Sequence, residues 1–255
     1  MRAIAIIYAK AVSQRLPGKH LLPLPPDNRS VISCALEYAL ESRLCERVIF
    51  STDCAMMQDV ARSRFGDRVQ IVDRPKELTD EQKATWGAII AQALDAAGLS
   101  DFEGIVATIY GNVPIMPQGI VDRSIDELMK WSKPGDPVLT TGVEPSRTAH
   151  PYNAIEMNGA HRTRWYAGIS EAQRVVPSQD YPQVYLANGA PQAAWWPGPD
   201  QTERQRIPVM VRAGEVVEIE DEQDYRWVRF LMSERHRLRE SGLYRGPDWT
   251  PTREV

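Results

Sequence analysis

The sequence predicts an α/β protein built on a mostly parallel mixed sheet, and three observations carry that expectation. Short apolar runs alternate with amphipathic helical stretches through the first half of the chain; the runs are near-continuously hydrophobic, as strands covered on both faces are; and the connections between them are short. With 255 residues and 43% hydrophobic composition, the chain is long enough for one such domain with a substantial core and a small appended lobe.

The elements follow in order. Ile4 to Ile7 is a buried-strand run, and Ser30 is placed to cap a helix reaching about Ser42. A strand at Arg47 to Ser51, a helix from about Ala55 to Arg64 and a strand at Val69 to Val72 come next. Thr79 and Asp80 then lead into a long helix ending near Ala97, Gly104 to Ile109 reads as another buried strand, and a helix spans about Gln118 to Trp131. The pattern changes at Ser132-Lys133-Pro134-Gly135-Asp136-Pro137. From about 135 to 205 the chain carries short strands, many prolines and the aromatic residues Trp165, Tyr166, Tyr181, Tyr185, Trp195 and Trp196. That composition suits an inserted lobe that packs on a partner subunit and covers a site; an irregular flap packed on its own domain is the competing expectation. Regular structure is expected again as strands at Ile207 to Arg212 and Val216 to Ile219, and as a helix from about Glu222 to Arg239.

Composition excludes several classes. A formal net charge of −4 gives no general attraction to nucleic acid or to an anionic membrane. No apolar run approaches the roughly 20 residues of a membrane span and no secretory leader pattern precedes the first strand, so a soluble cytoplasmic protein is expected. Cys34, Cys45 and Cys54 form no CxxC pair, which fits a reducing compartment. His20, His150, His161 and His236 show no HxxxH spacing for zinc, and GxSxG is absent.

Chemistry concentrates after the first strand, in Ala9-Lys10-Ala11-Val12-Ser13-Gln14-Arg15-Leu16-Pro17-Gly18-Lys19. Small residues at Ala9, Ala11 and Ser13 let backbone N–H groups approach a ligand, while Lys10, Arg15 and Lys19 supply charge for phosphate oxygens. Pro17-Gly18 is a turn dipeptide that fixes where Lys19 points. Neither GxxxxGK[ST] nor GxGxxG is present, which argues against P-loop ATPases and Rossmann dehydrogenases. A solvated basic turn is the bland alternative. Far downstream, Glu218 and Glu220 lie two apart, on one face if the segment is a strand. Such a pair could hold Mg²⁺ together with substrate phosphates, or could simply be an acidic lead-in to the last helix.

The loop resembles the amino-terminal signature of the cytidylyltransferases that activate acidic sugars, the CMP-sialic acid and CMP-Kdo synthetase type, approximately [I/L]-x-A-R-x-x-S-x-R-[L/I]-P-x-K. Lys10 stands where that pattern has Arg. Ser51-Thr52-Asp53, Asp73-Arg74-Pro75-Lys76-Glu77-Leu78, Tyr110-Gly111-Asn112-Val113-Pro114-Ile115, Gln179-Asp180-Tyr181-Pro182 with Asn188-Gly189-Ala190, and Glu218-Ile219-Glu220-Asp221-Glu222-Gln223-Asp224-Tyr225 resemble further family elements in the required order. Tyr110 replaces a Gln, Asn112 and Ser178 replace an Asp and an Arg, Glu218 and Glu220 stand where the family has metal-binding aspartates, and Asp221 replaces a Ser or Thr.

The resemblance implies a Rossmann-like nucleotide-diphospho-sugar transferase fold and a homodimer. It implies nucleotide contacts at Ala9, Lys10, Ser13, Arg15, Lys19, Arg74, Tyr110, Gly111 and Asn112, with Lys10, Arg15 and Lys19 catalytic. Sugar-acid contacts would come from Arg174, Gln179 and Asn188, and Mg²⁺ from Glu218 and Glu220, with Asp221 an additional candidate. The implied reaction passes CMP from CTP to a small acidic acceptor of nonulosonic acid or Kdo type, in the making of cell-surface polysaccharide. Another acceptor, such as a phosphonate, and a nucleotide-binding homologue without turnover are the alternatives.

Overall fold

A computed structural model describes residues 1–79, 84–146, 150–157, 163–165, 181–197 and 205–240. Strand β1 (Ala3–Ala9) lies inside an eight-stranded sheet, between β4 (Arg47–Thr52) and β6 (Gly104–Tyr110), parallel to both, and β5 (Gln70–Asp73) adds parallel to β4. The minor hairpin β2 (Pro23–Leu24) and β3 (Arg29–Ser30) lies between β1 and α1 (Val31–Leu40) in the chain. Helices α2 (Ala55–Phe65), α3 (Trp86–Ala96) and α4 (Ile120–Trp131) complete the alternation.

Period-two alternation explains why β1 is apolar throughout. Ala3, Ala5, Ile7 and Ala9 face one cluster with Ile32 and Leu36 of α1, Met57 and Phe65 of α2 and Ile125 and Leu128 of α4. Ile4 and Ile6 face the opposite cluster, with Ile90 and Leu94 of α3. Both faces of the strand are covered, and truncating Ile4 or Ile6 to Ala would cost about 2–5 kcal/mol. Ser30 caps α1 as expected, its Oγ accepting from Ser33 N at 3.4 Å.

The range 135–205 contributes much of the central sheet. β7 (Val138–Pro145), β10 (Tyr185–Ala187) and β11 (Gln192–Trp196) are strands of it, with β11 antiparallel to β6. β12 (Gln205–Met210) pairs parallel to β7. Within this range, among the described residues, only the antiparallel pair β8 (Ile155–Met157) and β9 (Thr163–Trp165) stands apart from the central sheet. The expected strand at Val216 to Ile219 is reduced to a single bridge, Ile115 with Val217. Its partner is the loop after β6, where Pro114 and Pro117 cannot donate to a ladder, so the extended segment stays bonded at isolated points. The last helix is α5 (Glu222–Glu240).

Candidate active site

Chain direction around β1 decides where a site can form. The crossover through α1 leads to β4 on one side of β1, while the later crossover from β5 through α3 returns to β6 on the other. The boundary between β1 and β6 is therefore a topological switch point, and a crevice opens beyond the carboxyl ends of the two strands. A cleft of 470 Å³ lies there and brings together Ala9, Lys10, Ser13, Arg15, Lys19, Arg74, Tyr110, Asn112 and Glu220. Gly111 is buried beside it with a packing role. A Cβ there would lie 2.8 Å from Ile32 and 3.0 Å from Ala9, so glycine lets the loop close on β1.

The basic loop is fixed at both ends. Asp53, at the end of β4, accepts from Ala11 N at 2.7 Å. Gly18 has φ 70°, a conformation glycine adopts at little cost, and it starts the tight turn that carries Lys19. Lys19 is 7% exposed, and its ammonium donates to Glu220 Oε2 at 3.0 Å. Arg15, mostly exposed, reaches the same oxygen at 2.5 Å.

Glu220 is held in place by Asn112, whose Nδ2 donates to Glu220 Oε1 at 2.7 Å and to the Ile219 carbonyl at 3.2 Å. A carbonyl only accepts, so this second bond fixes the amide orientation. Ile219 N returns a bond to Asn112 O at 2.9 Å, and Val217 N donates to Ile115 O at 3.0 Å. Behind this junction Ile219, Tyr225 and Val228 pack with Leu24, Val31, Cys34 and Ile115, and the Tyr225 hydroxyl donates to Pro23 O at 2.8 Å. The acidic segment is thus bolted to the chain just after Lys19.

Asp221 does a different task from the metal ligation considered for it. Its Oδ1 accepts from Gln223 N at 2.8 Å and Asp224 N at 3.0 Å, while Asp224 Oδ2 accepts from Glu220 N and Asp221 N. This is a reciprocal capping box at the start of α5. A Ser or Thr at the same position would serve the same acceptor role.

Glu218 lies next to this cluster, outside the residues lining the cleft. Burial, then the neighbouring Glu220, pushes its carboxyl above the ordinary range, although the Gly189 backbone N–H donates to it. A Cβ at Gly189 would fall 2.6 Å from the Glu218 carboxylate, so glycine is what allows that approach. Asn188, just before it, uses Oδ1 to accept from Ala190 N at 3.2 Å, and its Nδ2 is buried with no partner among the described residues. Arg174 and Gln179 lie outside the described residues.

Among the described residues no group of three or more His, Cys, Asp or Glu converges into a metal-binding cluster. Glu220 is nonetheless close enough to disfavour the charge on Glu218, an effect that a cation beside both would relieve. Two carboxylates, one lining the cationic cleft and one next to it, are an oxygen donor set that would suit Mg²⁺, an ion usually held by one or two carboxylates with phosphates and waters. The pair fits the implied ion.

Several lining residues had no role in the sequence reading: Tyr8, Gln14, His20, Leu78, Thr79, Trp86 and Ile89. His20 is buried, and burial, followed by Lys19, Arg74 and Lys10, pushes its pKa down to about 4. It is neutral near pH 7 and adds no charge to the cleft. Arg74 is also buried, with Nε donating to Ser51 Oγ at 3.2 Å and Nη2 to Ser51 O at 2.8 Å. Burial lowers its pKa from the ordinary guanidinium value. Its guanidinium sits 5.9 Å from the Tyr8 ring centre, so it braces the strand end beneath that ring. The signal for Asp53 was present in Ser51-Thr52-Asp53, but its anchoring of Ala11 required the fold.

A family model described as cytidylyltransferase matches residues 4–192. A Helicobacter pylori protein described as pseudaminic acid cytidylyltransferase and UDP-2,4-diacetamido-2,4,6-trideoxy-beta-L-altropyranose hydrolase is 28% identical over 160 residues, 62% of this chain and 30% of that one. The 3-deoxy-manno-octulosonate cytidylyltransferase of Pasteurella multocida is 28% identical over 156 residues, 61% of this chain and 55% of its own. The matched part of this chain thus spans under a third of the first relative and little over half of the second. Among solved structures, a CMP:2-keto-3-deoxy-manno-octonic acid synthetase complexed with CTP shares the fold at a TM-score of 0.64 and 15% identity, over 92% of this chain and 99% of that one. A 4-diphosphocytidyl-2C-methyl-D-erythritol synthase from Anaerococcus prevotii gives 0.58 at 14% identity, over 91% of this chain and 96% of its own.

Proposed function

The chain belongs to the cytidylyltransferase family, and on that premise we propose that it transfers CMP from CTP to an acidic sugar of nonulosonic or Kdo type, releasing pyrophosphate. The observation that carries the reading is the convergence on Glu220 of Arg15 and Lys19, 205 and 201 residues away, and of Asn112, 108 residues away, in a cleft at the switch point of the sheet. The names of the two relatives support an acid sugar as acceptor.

In this reading the anomeric hydroxyl of the acceptor attacks the α-phosphorus of CTP and pyrophosphate departs. Displacement of this kind depends on alignment and on stabilising charge where it develops. Lys10, Arg15 and Lys19 hold the β- and γ-phosphates and balance the leaving pyrophosphate; Ala9, Ser13 and Tyr110 place the nucleoside, and Arg74 keeps the strand end rigid. Asn112 orients Glu220. Mg²⁺, held by Glu218 and Glu220, supplies charge neutralisation at the phosphates and acidity for the attacking hydroxyl when bound. Asn188, Arg174 and Gln179 are the residues we assign to the acceptor.

Among the described residues no helix is long and apolar enough to cross a membrane. A cytoplasmic location belongs to the same reading, supported by free Cys34, Cys45 and Cys54. So does a homodimer joined through the 135–205 region, supported by the exposed apolar side chains of Ile155, Met157, Tyr185 and Leu186; a monomer on sizing at micromolar concentration would count against it. Pyrophosphate release with CTP, Mg²⁺ and a panel of sugar acids tests the activity. Release with Kdo or a nonulosonic acid is expected, and CTP binding without release under every acceptor would overturn it.

A further inference from the structure

The cleft has an aromatic wall that the phosphate chemistry leaves unused. Trp86 opens α3 behind an N-cap in which Thr85 Oγ1 accepts from Ala88 N at 3.2 Å, so the indole's backbone is well anchored. Its ring centre lies 4.4 Å from Tyr8 at 59° and 5.8 Å from Tyr110 at 86°, and the two tyrosines are 5.1 Å apart at 71°. All three rings line the same cleft as Lys10, Arg15 and Lys19. Yet Trp86 remains 46% exposed.

Tyr8 and Tyr110 sit at the ends of β1 and β6, directly paired in register, so the sheet fixes both and they in turn fix the tilt of Trp86. A rigid indole that contacts two rings and leaves nearly half its surface open to a polar cleft exposes apolar area that a flat ligand would cover. Its chemistry suits a π-face, because base–aromatic stacking is favourable and tolerant of the base identity.

We propose that Trp86 is the stacking wall for the nucleobase, with the cationic loop of the same cleft taking the triphosphate. The assignment rests on the nucleotide reading above and adds to it a division of labour. Trp86 supplies affinity for any pyrimidine ring and no choice between them, which leaves the choice of cytosine to hydrogen bonds near Ala9 and Tyr110.

The test compares wild type, Trp86→Ala and Trp86→Phe by calorimetric titration with CTP, UTP and inorganic tripolyphosphate. Trp86→Ala is expected to weaken CTP and any measurable UTP binding by the same factor, at least about tenfold, which is the scale of one lost stacking partner. Tripolyphosphate affinity stays within twofold, and Trp86→Phe recovers most of the CTP affinity. Tripolyphosphate binding also reports that the Ala variant is folded. Wild type that binds CTP with Trp86→Ala within twofold of it overturns the stacking wall alone. Equal loss of CTP and tripolyphosphate affinity in Trp86→Ala shows a structural role and overturns it as well. Wild type that binds no CTP overturns the nucleotide reading, and the wall with it.

Discussion

Replacing Glu220 with Gln should tighten CTP binding in the absence of metal and slow the reaction in its presence. Glu220 engages Arg15 and Lys19, the cations that the proposed reading gives to the triphosphate, and the structure lets each contact be weighed. Arg15, with a side chain 69% exposed, forms a pair of the kind worth about 0–1 kcal/mol. Lys19, whose side chain is 9% exposed, donates a charge-assisted bond at 3.0 Å, worth about 1.5–3 kcal/mol before discounting a carboxylate that is itself 32% exposed. The release of both cations, minus what the glutamine carbonyl retains, comes to about 1–3 kcal/mol, or roughly five- to 150-fold in affinity. Titration of CTP into wild type and Glu220→Gln in excess chelator measures this directly. In the proposed reaction the same substitution would leave the divalent ion with one carboxylate fewer, so pyrophosphate release at saturating substrate should fall at least about tenfold. Unchanged or weaker CTP binding by the variant in chelator would refute the view that Glu220 stands in for phosphate.

Three further outcomes follow from named contacts. Asp53→Ala removes the 2.7 Å anchor on Ala11 and should raise the KM for CTP by about three- to tenfold with a smaller effect on kcat, while Asp53→Asn, which keeps the acceptor, recovers most of it; steady-state kinetics with an unchanged KM in the Ala variant would count against the anchor. Asp221→Ala should lose about 1 kcal/mol of stability in urea unfolding and Asp221→Ser should regain most of it at wild-type turnover; loss of turnover in the Ser variant would mean that the carboxylate does more than cap α5. His20 has a folded pKa of about 4 against an ordinary 6.5, so the unfolded chain takes up the proton first as pH falls; the stability tied to its neutrality is full above about 6.5 and is lost toward 4, by up to about 3 kcal/mol. Glu218, shifted upward, acts in the opposite sense, so the quantity to measure is the difference between wild type and His20→Gln in urea midpoints at pH 7 and pH 5. Parallel pH dependences would refute the assignment.

The alternation of strands and helices was legible because both faces of β1, β4 and β6 are buried, which writes continuous apolar runs into the sequence. The basic loop was legible because its charges are local. Harder to see was the 135–205 region, where β7, β10 and β11 join the central sheet although prolines and short runs hide their period. Strand pairing across such distances is decided by the neighbours, and local pattern does not report it. The same applies to Val216–Ile219, whose partner is a proline-interrupted loop. Trp86 was unreadable as a site residue, since an aromatic at a helix start normally packs, and only the fold shows it half-open beside Tyr8 and Tyr110.

Three of the departures from the family pattern acquire a common physical sense once the site is assembled. Asp221 in place of Ser or Thr keeps an acceptor for the N–H groups of α5, so the cap survives with a charge added. Asn112 in place of Asp exchanges a negative charge for a donor, and that donor is what orients Glu220. An aspartate there would bring a second carboxylate against Glu220 and a like-polarity contact with the Ile219 carbonyl, and both would push the acidic segment away from Asn112. Glu in place of Asp at 220 adds a methylene of reach, and its Oε2 spans to both Arg15 and Lys19. The cap, the orienting amide and the added reach all act on the segment that carries Glu220. Restoring one family residue alone, as in Asn112→Asp, should therefore lower turnover, whereas a chain that had merely drifted from activity would gain from the reversion; pyrophosphate release by that single variant separates the two.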